Sequence, residues 1–494
     1  MPLFSYGGVL DMRKDFLDEE LFGNEAGEDE NKDRLASYYL EKPENSVFFS
    51  SRKPLSFVRA RKGVGKSALL SYASYKLEKE NPKAIYISVK ASDLISIKPH
   101  PSLGASSLQF TNYWQECLCT RIAIEIGRNI KIAASDDSMM LVEMAELLGY
   151  KGRNIVTALC ERYKHILPQL AAEKKCAENS EELLKRYAQK ENISVWFFID
   201  DIDATFIDTP ENRILVSSFF SACRNIVNAV KGLFIRASVR TDIWAIIKDD
   251  EALDKCEQYM VDLKWSTEDT GEILANKILT YFVDHYPEDR DVQKIKKWYP
   301  ASRPQVFNLI FKDKLKWGKG ALDPHRPIHI LSAGRPRWAA QLCKMAANDA
   351  YRKNNDKIAI GHINDVMFDY GKYRLSDLYK EHNHQCGQLK HIIESFRNGK
   401  KSYTSDELMD YINAKILENV ANPISIENIA ADNPLDIAHF LYRIGFITLD
   451  DKSFDNGDSF IRFEDVPDLL IPSNYNPKDI WAIHPSYRSI LHLN

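Results

Sequence analysis

The stretch Leu55 to Leu70, LSFVRARKGVGKSALL, decides the fold of this chain. A short, mostly apolar run from Leu55 to Val58 reads as a strand. It leads into Ala60-Arg61-Lys62-Gly63-Val64-Gly65-Lys66-Ser67, and a helix-favouring run from Ala68 to Leu77 follows. Gly63 and Gly65 let the backbone turn so that N–H groups point at an anion, and the following helix adds its positive N-terminal end. Lys66 contributes a cation and Ser67 a hydroxyl. A strand, such a loop and a helix in succession form a cradle for phosphate.

This pattern resembles the P-loop of nucleotide triphosphatases, with Ala60 at the position usually held by the first glycine. The resemblance implies that ATP phosphates lie along Ala60, Lys62, Gly63, Val64, Gly65, Lys66, Ser67 and Ala68. Lys66 then reaches the β- and γ-phosphates, and Ser67 holds Mg²⁺. Ala60 is a departure, because alanine resists positive φ where glycine does not.

A second signal is Val195 to Asp203, VWFFIDDID. An unbroken apolar run ending in carboxylates describes a buried parallel strand that delivers acids to the sheet's carboxyl edge. It resembles a Walker B strand, which assigns Mg²⁺ to Asp200 and orientation of the attacking water to Asp201. The plainer reading is a strand followed by an acidic turn. A third signal is Leu233 to Asp242, LFIRASVRTD, a strand after a helical run from Ile214 to Val230. It resembles the sensor 1 strand, with Arg240 on the γ-phosphate. Arg236 and Arg240 fall on one strand face; alternatively they pair with Asp200, Asp201 and Asp203.

A fourth signal is Ala333 to Trp338, AGRPRW, before a helical run to Tyr351. It is similar to the Gly-x-Pro-Arg start of a lid helix in the AAA+ and STAND families, which places Pro336 near the nucleotide and makes Arg337 sensor 2. Proline in a first helical turn also suits helix initiation on local grounds. Four motifs in order, over about Phe49 to Asn355, resemble an additional-strand P-loop ATPase of the AAA+/STAND type, bacterial and similar to ATPases associated with anti-phage defence. The resemblance implies an α/β fold: a P-loop core with a parallel sheet, then an α-helical lid, then a winged-helix-like α+β domain. It also implies ATP hydrolysis, with Lys66, Asp201, Arg240 and Arg337 in catalysis. A homo-oligomer is expected, with Arg213 or Arg236 reaching the next subunit's phosphate.

Composition agrees with a multidomain globular chain. The 494 residues suit about three domains, with 44% hydrophobic and 28% charged residues and a net charge of −4. That charge does not mark a polyanion binder. Eight scattered cysteines without framework spacing suggest a reducing compartment. No run approaches membrane-spanning length and no signal pattern opens the chain, so a cytoplasmic location and no membrane partner are expected.

The expected organisation is a leader over 1–48 packing on the core, a P-loop core over 49–264 with a helical insertion at about 131–190, a lid over 265–385 and a winged-helix-like domain over 386–494. In the last, helices at Leu389–Phe396 and Pro434–Ile444 flank a capping box opened by Thr404 and Glu407. Strands follow at Gly445–Leu449 and Phe460–Phe463. From Cys386 to Asn494 there are 10 Lys+Arg against 16 Asp+Glu, a balance of −6 that suits protein contact better than DNA.

The most basic stretch, Lys294 to Arg326, interleaves Trp298, Tyr299 and Trp317. It could follow a phosphate backbone, but a solvated lid surface is favoured. His382, His384 and Cys386 are too few for a metal site, and Cys117 with Cys119 reads as helix core. The leading expectation is an ATP-driven switch acting in anti-phage defence with a separate effector protein. The alternatives are a DNA-handling ATPase of the replication-initiator or transposition-regulator type, and a nucleotide-dependent scaffold without turnover.

Overall fold

Leu55–Ala60 (β1) is buried along almost its whole length, and it lies inside a sheet rather than at its edge. Its partners are Ile85–Lys90 (β2), Val195–Asp200 (β3), Leu233–Arg240 (β4) and Met260–Asp262 (β5), in the order β2-β3-β4-β1-β5. Every pairing in this sheet is parallel. The computed structural model describes residues 14–494 apart from 28, 98, 102–103, 152–179, 205, 208, 249, 251–252, 318–319, 421 and 451–459. The fold is α/β, and β4 stands between the loop strand β1 and the acidic strand β3, the added strand that the four motifs implied. Strand β3 is apolar without alternation because helices cover both faces of a parallel sheet; Val195, Phe197 and Ile199 are all fully buried.

Those helices are Lys66–Glu80 (α1), Ser107–Asn129 (α2), Asp136–Leu147 (α3), Ser180–Lys190 (α4), Pro210–Ala229 (α5) and Thr241–Ile247 (α6). Ser106 and Gln109 form a capping box that starts α2. Trp114, Leu118 and Ile122 line its buried face as their spacing predicts, and Cys117 and Cys119 are buried with them. Helix α2 packs on α3, α4 and α5. Helices α3 and α4 fall within the stretch 131–190 expected as a helical insertion, and 152–179 lie outside the described residues.

Two compact units emerge. One holds Glu41–Arg61 and Gly65–Leu263, which carry the sheet; the other holds Met1–Leu40, Lys62–Val64 and Lys264–Asn494. The described part of the leader therefore divides differently from the expectation. Lys14 to Leu40 belongs to the second unit, and only the residues after it join the sheet unit. The reason is apolar: Phe16, Leu21 and Phe22 enter one core with Leu274, Ile278, Phe307 and Phe311. Asp15 fixes the segment by accepting from the Tyr281 and Tyr286 hydroxyls, at 2.9 and 2.7 Å.

The second unit runs through Thr267–His285 (α7), Arg290–Trp298 (α8), Arg303–Ile310 (α9), the hairpin Leu315–Trp317 (β6) and Gly320–Leu322 (β7), His325–Leu331 (α10), Pro336–Arg352 (α11) and Ile360–His382 (α12). Helix α12 joins two cores: Met367 and Tyr370 pack with the preceding helices, while Leu375 and Leu378 pack with the C-terminal region. There Leu389–Glu394 (α13), Ser402–Thr404 (β8), Ser405–Lys415 (α14), the hairpin Ser425–Ile426 (β9) and Ile429–Ala430 (β10), and Pro434–Arg443 (α15) lead to Ile447–Asp450 (β11), Phe460–Ile461 (β12), Ile480–Ile483 (β13) and Pro485–Arg488 (α16). Strands β12-β11-β13-β8 form an antiparallel sheet in that order. Thr404 and Glu407 make the capping box read from the sequence. Among the described residues no helix is long and apolar enough to cross a membrane.

Candidate functional site

The loop after β1 turns where its glycines stand. Gly63 has φ +80° and Gly65 φ +112°, and a side chain on Gly65 would enter open space. Ala60 is the last residue of β1, pairs in register with Arg240 and is absent from the positive-φ positions. No positive φ is therefore asked of the alanine, because it has strand backbone. Helix α1 begins at Lys66 with Gly65 as its cap and no side chain capping it, so its first amides face the loop. Ser67 and Ala68 lie in that first turn. The Lys66 ammonium folds back to donate to the carbonyls of Ala60, at 3.1 Å, and Arg61, at 3.4 Å. Crowding by protein pulls its pKa down, and Asp203 and Asp200 partly offset this.

The ends of β3 and β4 supply the acids. Asp200 is opposite Lys90 in register and accepts a hydrogen bond from the buried Ser238 hydroxyl of β4. Asp201 adopts a left-handed backbone, φ +59°, and its N–H donates to Asp200 Oδ1 at 3.0 Å. Its carboxylate is half exposed, 3.8 Å from the Lys90 ammonium. Asp203 is the buried acid of the three, 3% exposed, and accepts from the Arg240 N–H. Burial raises its pKa to about 6 against the opposing pull of Lys66 and Arg240. The sequence offers Asp203 only as a partner for arginine; Ser238, in the Ser-x-Arg end of β4, shares a strand face with Arg236 and Arg240.

The two strand arginines have different partners. Arg240 forks onto Asp242, with Nε 3.1 Å from Oδ1, and its charge also acts on Asp203. Arg236 is fully buried and cannot reach another subunit, which removes it as an arginine acting in trans. Its guanidinium donates to the carbonyls of Phe48, Ser50, Lys53, Pro54 and Ile235 at 2.9–3.2 Å, with Val47 at 3.4 Å. It also lies 4.9 Å from the Trp196 ring. Among the described residues no carboxylate pairs with it, and burial lowers its pKa to about 9. Arg213 sits in the first turn of α5 and is half-buried.

In the second unit Pro336 is the first residue of α11, as the local reading of proline predicts. Arg337 follows it; its Nε donates to the Glu25 carbonyl at 3.0 Å. Arg337 also lines a cavity of about 790 Å³ with Asn24, Gln341, Lys344 and Asn348. The tip residues Lys62, Gly63 and Val64 belong to this unit. His382 is buried and bonds Gln385 through Nδ1, Cys386 is core, and no metal-binding group of three is found among the described residues. The basic stretch is partly neutralised: Arg303 and Arg326 meet Glu268, and Lys314 meets Asp323. Lys319 lies outside the described residues.

These side chains fit a nucleotide with magnesium. The loop offers amides and an ammonium, and Ser67 with Asp200 offers the hard oxygen donors that Mg²⁺ takes.

No family model matches the chain, and no curated protein matches it. Among solved structures it is similar to the Aeropyrum pernix ORC2 protein in ADPNP and ADP complexes, at 12% identity over 93% of this chain and 91% of that one, with a TM-score of 0.38. The Aeropyrum pernix ORC1 protein in complex with DNA shows 10% identity over 93% and 95%, TM-score 0.35. Drosophila ORC bound to DNA shows 10% over 100% and 95%, TM-score 0.32. Likenesses this distant bear no weight beside the strand order and the loop itself.

Proposed function

We propose that this chain binds ATP with Mg²⁺ and hydrolyses it to ADP and phosphate, as a molecular switch. The observation that carries the reading is the Lys66 ammonium, folded onto its own loop's carbonyls between two left-handed glycines and the acids after β3. A cation held by backbone carbonyls at that place can exchange them for phosphate oxygens. In this reading the amides of Lys62, Gly63, Val64, Gly65, Ser67 and Ala68, following Ala60 at the end of β1, take the phosphate oxygens. Ser67 and Asp200 hold the metal, which neutralises phosphate charge when bound. Asp201 orients the attacking water, Arg240 reports the γ-phosphate after leaving Asp242, and Pro336 with Arg337 reads the nucleotide from α11. Titration of the protein with labelled ATP, with and without Mg²⁺, followed by phosphate-release kinetics, tests the reading. Binding without turnover leaves a nucleotide-dependent scaffold.

The sequence resemblance supports a homo-oligomer and a role in bacterial anti-phage defence, with a separate effector protein. A DNA-handling ATPase is the second reading, favoured by Trp298, which is 59% exposed with the Lys297 ammonium 5.7 Å from its ring. Stimulation of hydrolysis by DNA separates the two.

A further inference from the structure

Three consecutive carbonyls at the tip of the loop are each taken by a different donor. Lys62 O accepts from Arg335 Nη1 at 3.2 Å, Gly63 O from the Arg337 N–H at 3.3 Å, and Val64 O from the Trp265 indole N–H at 2.7 Å. Lys62–Val64 and all three donors belong to one compact unit. Helix α11 has no side-chain cap, and Pro336 has no N–H, so Gly63 O supplies the acceptor that the helix start lacks.

A trans peptide is planar, so its C=O and the next residue's N–H point in opposite directions. Holding the carbonyls of Lys62, Gly63 and Val64 outward therefore aims the N–H groups of Gly63, Val64 and Gly65 to the other side, where the loop receives phosphate.

The same Arg335 Nη1 that holds Lys62 O lies 3.0 Å from Glu381 Oε2, and both side chains are almost fully buried. The guanidinium is stacked on Trp338 at 4.0 Å, with Arg374 at 4.2 Å from the same ring. Glu381 stands at the end of α12, whose second half packs into the C-terminal core. We infer that Trp265 and Arg335 are positioning residues for the loop's amides, and that Arg335 passes the state of the loop tip to the C-terminal α+β region through Glu381.

The consequence for phosphate rests on the proposed nucleotide reading; the holding of the tip does not. The experiment is amide hydrogen exchange on the full chain, without nucleotide and with MgATP, for Trp265→Phe, Glu381→Gln and Arg335→Lys. Without nucleotide, Trp265→Phe should speed exchange at Gly63 to Gly65 about tenfold, the effect of one lost hydrogen bond, while β1 to β4 keep the parent's protection. It should weaken MgATP binding by a similar factor. Glu381→Gln touches no loop atom, yet should weaken binding several-fold and abolish the nucleotide-dependent change in α12. Arg335→Lys keeps the charge but loses the planar fork, and serves if Glu381→Gln does not fold. It should reproduce that loss of coupling.

Parent-like exchange at the tip in Trp265→Phe overturns the positioning role. A nucleotide response in α12 that survives Arg335→Lys overturns the relay. If the parent binds no ATP while Trp265→Phe still frees the tip amides, the nucleotide reading falls and the holding of the tip stands.

Discussion

Arg236→Met separates a structural cation from a catalytic one. The side chain donates to six backbone carbonyls, five of them between Val47 and Pro54 ahead of β1. Hydrogen bonds from a charged donor contribute about 1.5–3 kcal/mol each, so the five N–H groups of the guanidinium at the lower end give roughly 7.5 kcal/mol. Burying the cation without a counter-ion costs several kcal/mol, which leaves about 4 kcal/mol. Methionine fills the space and keeps the Trp196 contact, so the loss is chiefly that of the hydrogen bonds. For a unit of this size that corresponds to a Tm about 8–16 °C lower. Thermal unfolding followed by circular dichroism measures it, and limited proteolysis should show new cleavage between residues 47 and 54. Hydrolysis in mixtures with a Lys66→Ala partner should show no rescue specific to Arg236. A variant with the parent's Tm and intact 47–54 segment, yet without hydrolysis, would refute the argument and return Arg236 to the chemistry.

Lys66→Ala should abolish ATP binding in a labelled-nucleotide titration; an unchanged affinity removes the phosphate-loop assignment. Asp201→Asn should keep binding and slow hydrolysis at least about tenfold, whereas Asp200→Asn should weaken binding only when Mg²⁺ is present; equal mild effects erase the distinction. Asp203 has its pKa raised to about 6, so if its carboxylate supports turnover, the parent's rate climbs as pH rises through 6 and the climb vanishes in Asp203→Asn. A climb that persists in that variant excludes Asp203 as its source. His329 and His484 are buried, and burial with Arg462 nearby lowers both pKa values to about 3, against 6.5 ordinarily. Between those values the unfolded chain binds protons that the folded chain refuses, so stability is present above 6.5 and lost as pH falls. The two histidines together remove about 4 kcal/mol by pH 5. Urea midpoints of the chain at pH 7 and 5 measure this, and His484→Gln should remove about half of the histidine contribution; identical midpoints at the two pH values contradict the sign.

The sheet was legible because burial on both faces leaves a plain trace. VWFFI has no polar residue to alternate, and only a covered parallel strand tolerates that. The loop was legible because glycines at positive φ and a lysine at a helix start are scarce in combination. What composition could not reveal was which carboxylate turns inward. Asp200, Asp201 and Asp203 look alike in sequence, and the left-handed turn at Asp201 decides that Asp203 is buried while Asp201 faces Lys90. Arg236 misled for a related reason. A charged residue inside an apolar strand suggests chemistry, but backbone carbonyls, which have no sequence signature, can satisfy a guanidinium completely. The acidic composition of the leader gives no sign that Phe16, Leu21 and Phe22 enter a core with residues remote in sequence.

The segment AGRPRW shows where the limit lies. Proline marks the helix start, and the second arginine stands where the family pattern places a sensor. The first arginine holds more of the structure. Arg335 is buried, stacked on Trp338, bonded to Glu381 and bonded to Lys62 O, whereas Arg337 contributes its backbone N–H to the tip and its side chain to Glu25. Both partners of Arg335 are remote in sequence, one a carbonyl and the other a glutamate in the last turn of a helix. Neither can be read from spacing, because the contact depends on α11 and α12 meeting at one level. A motif announces the residues whose chemistry is local; a residue that links two elements becomes visible only when both have been placed.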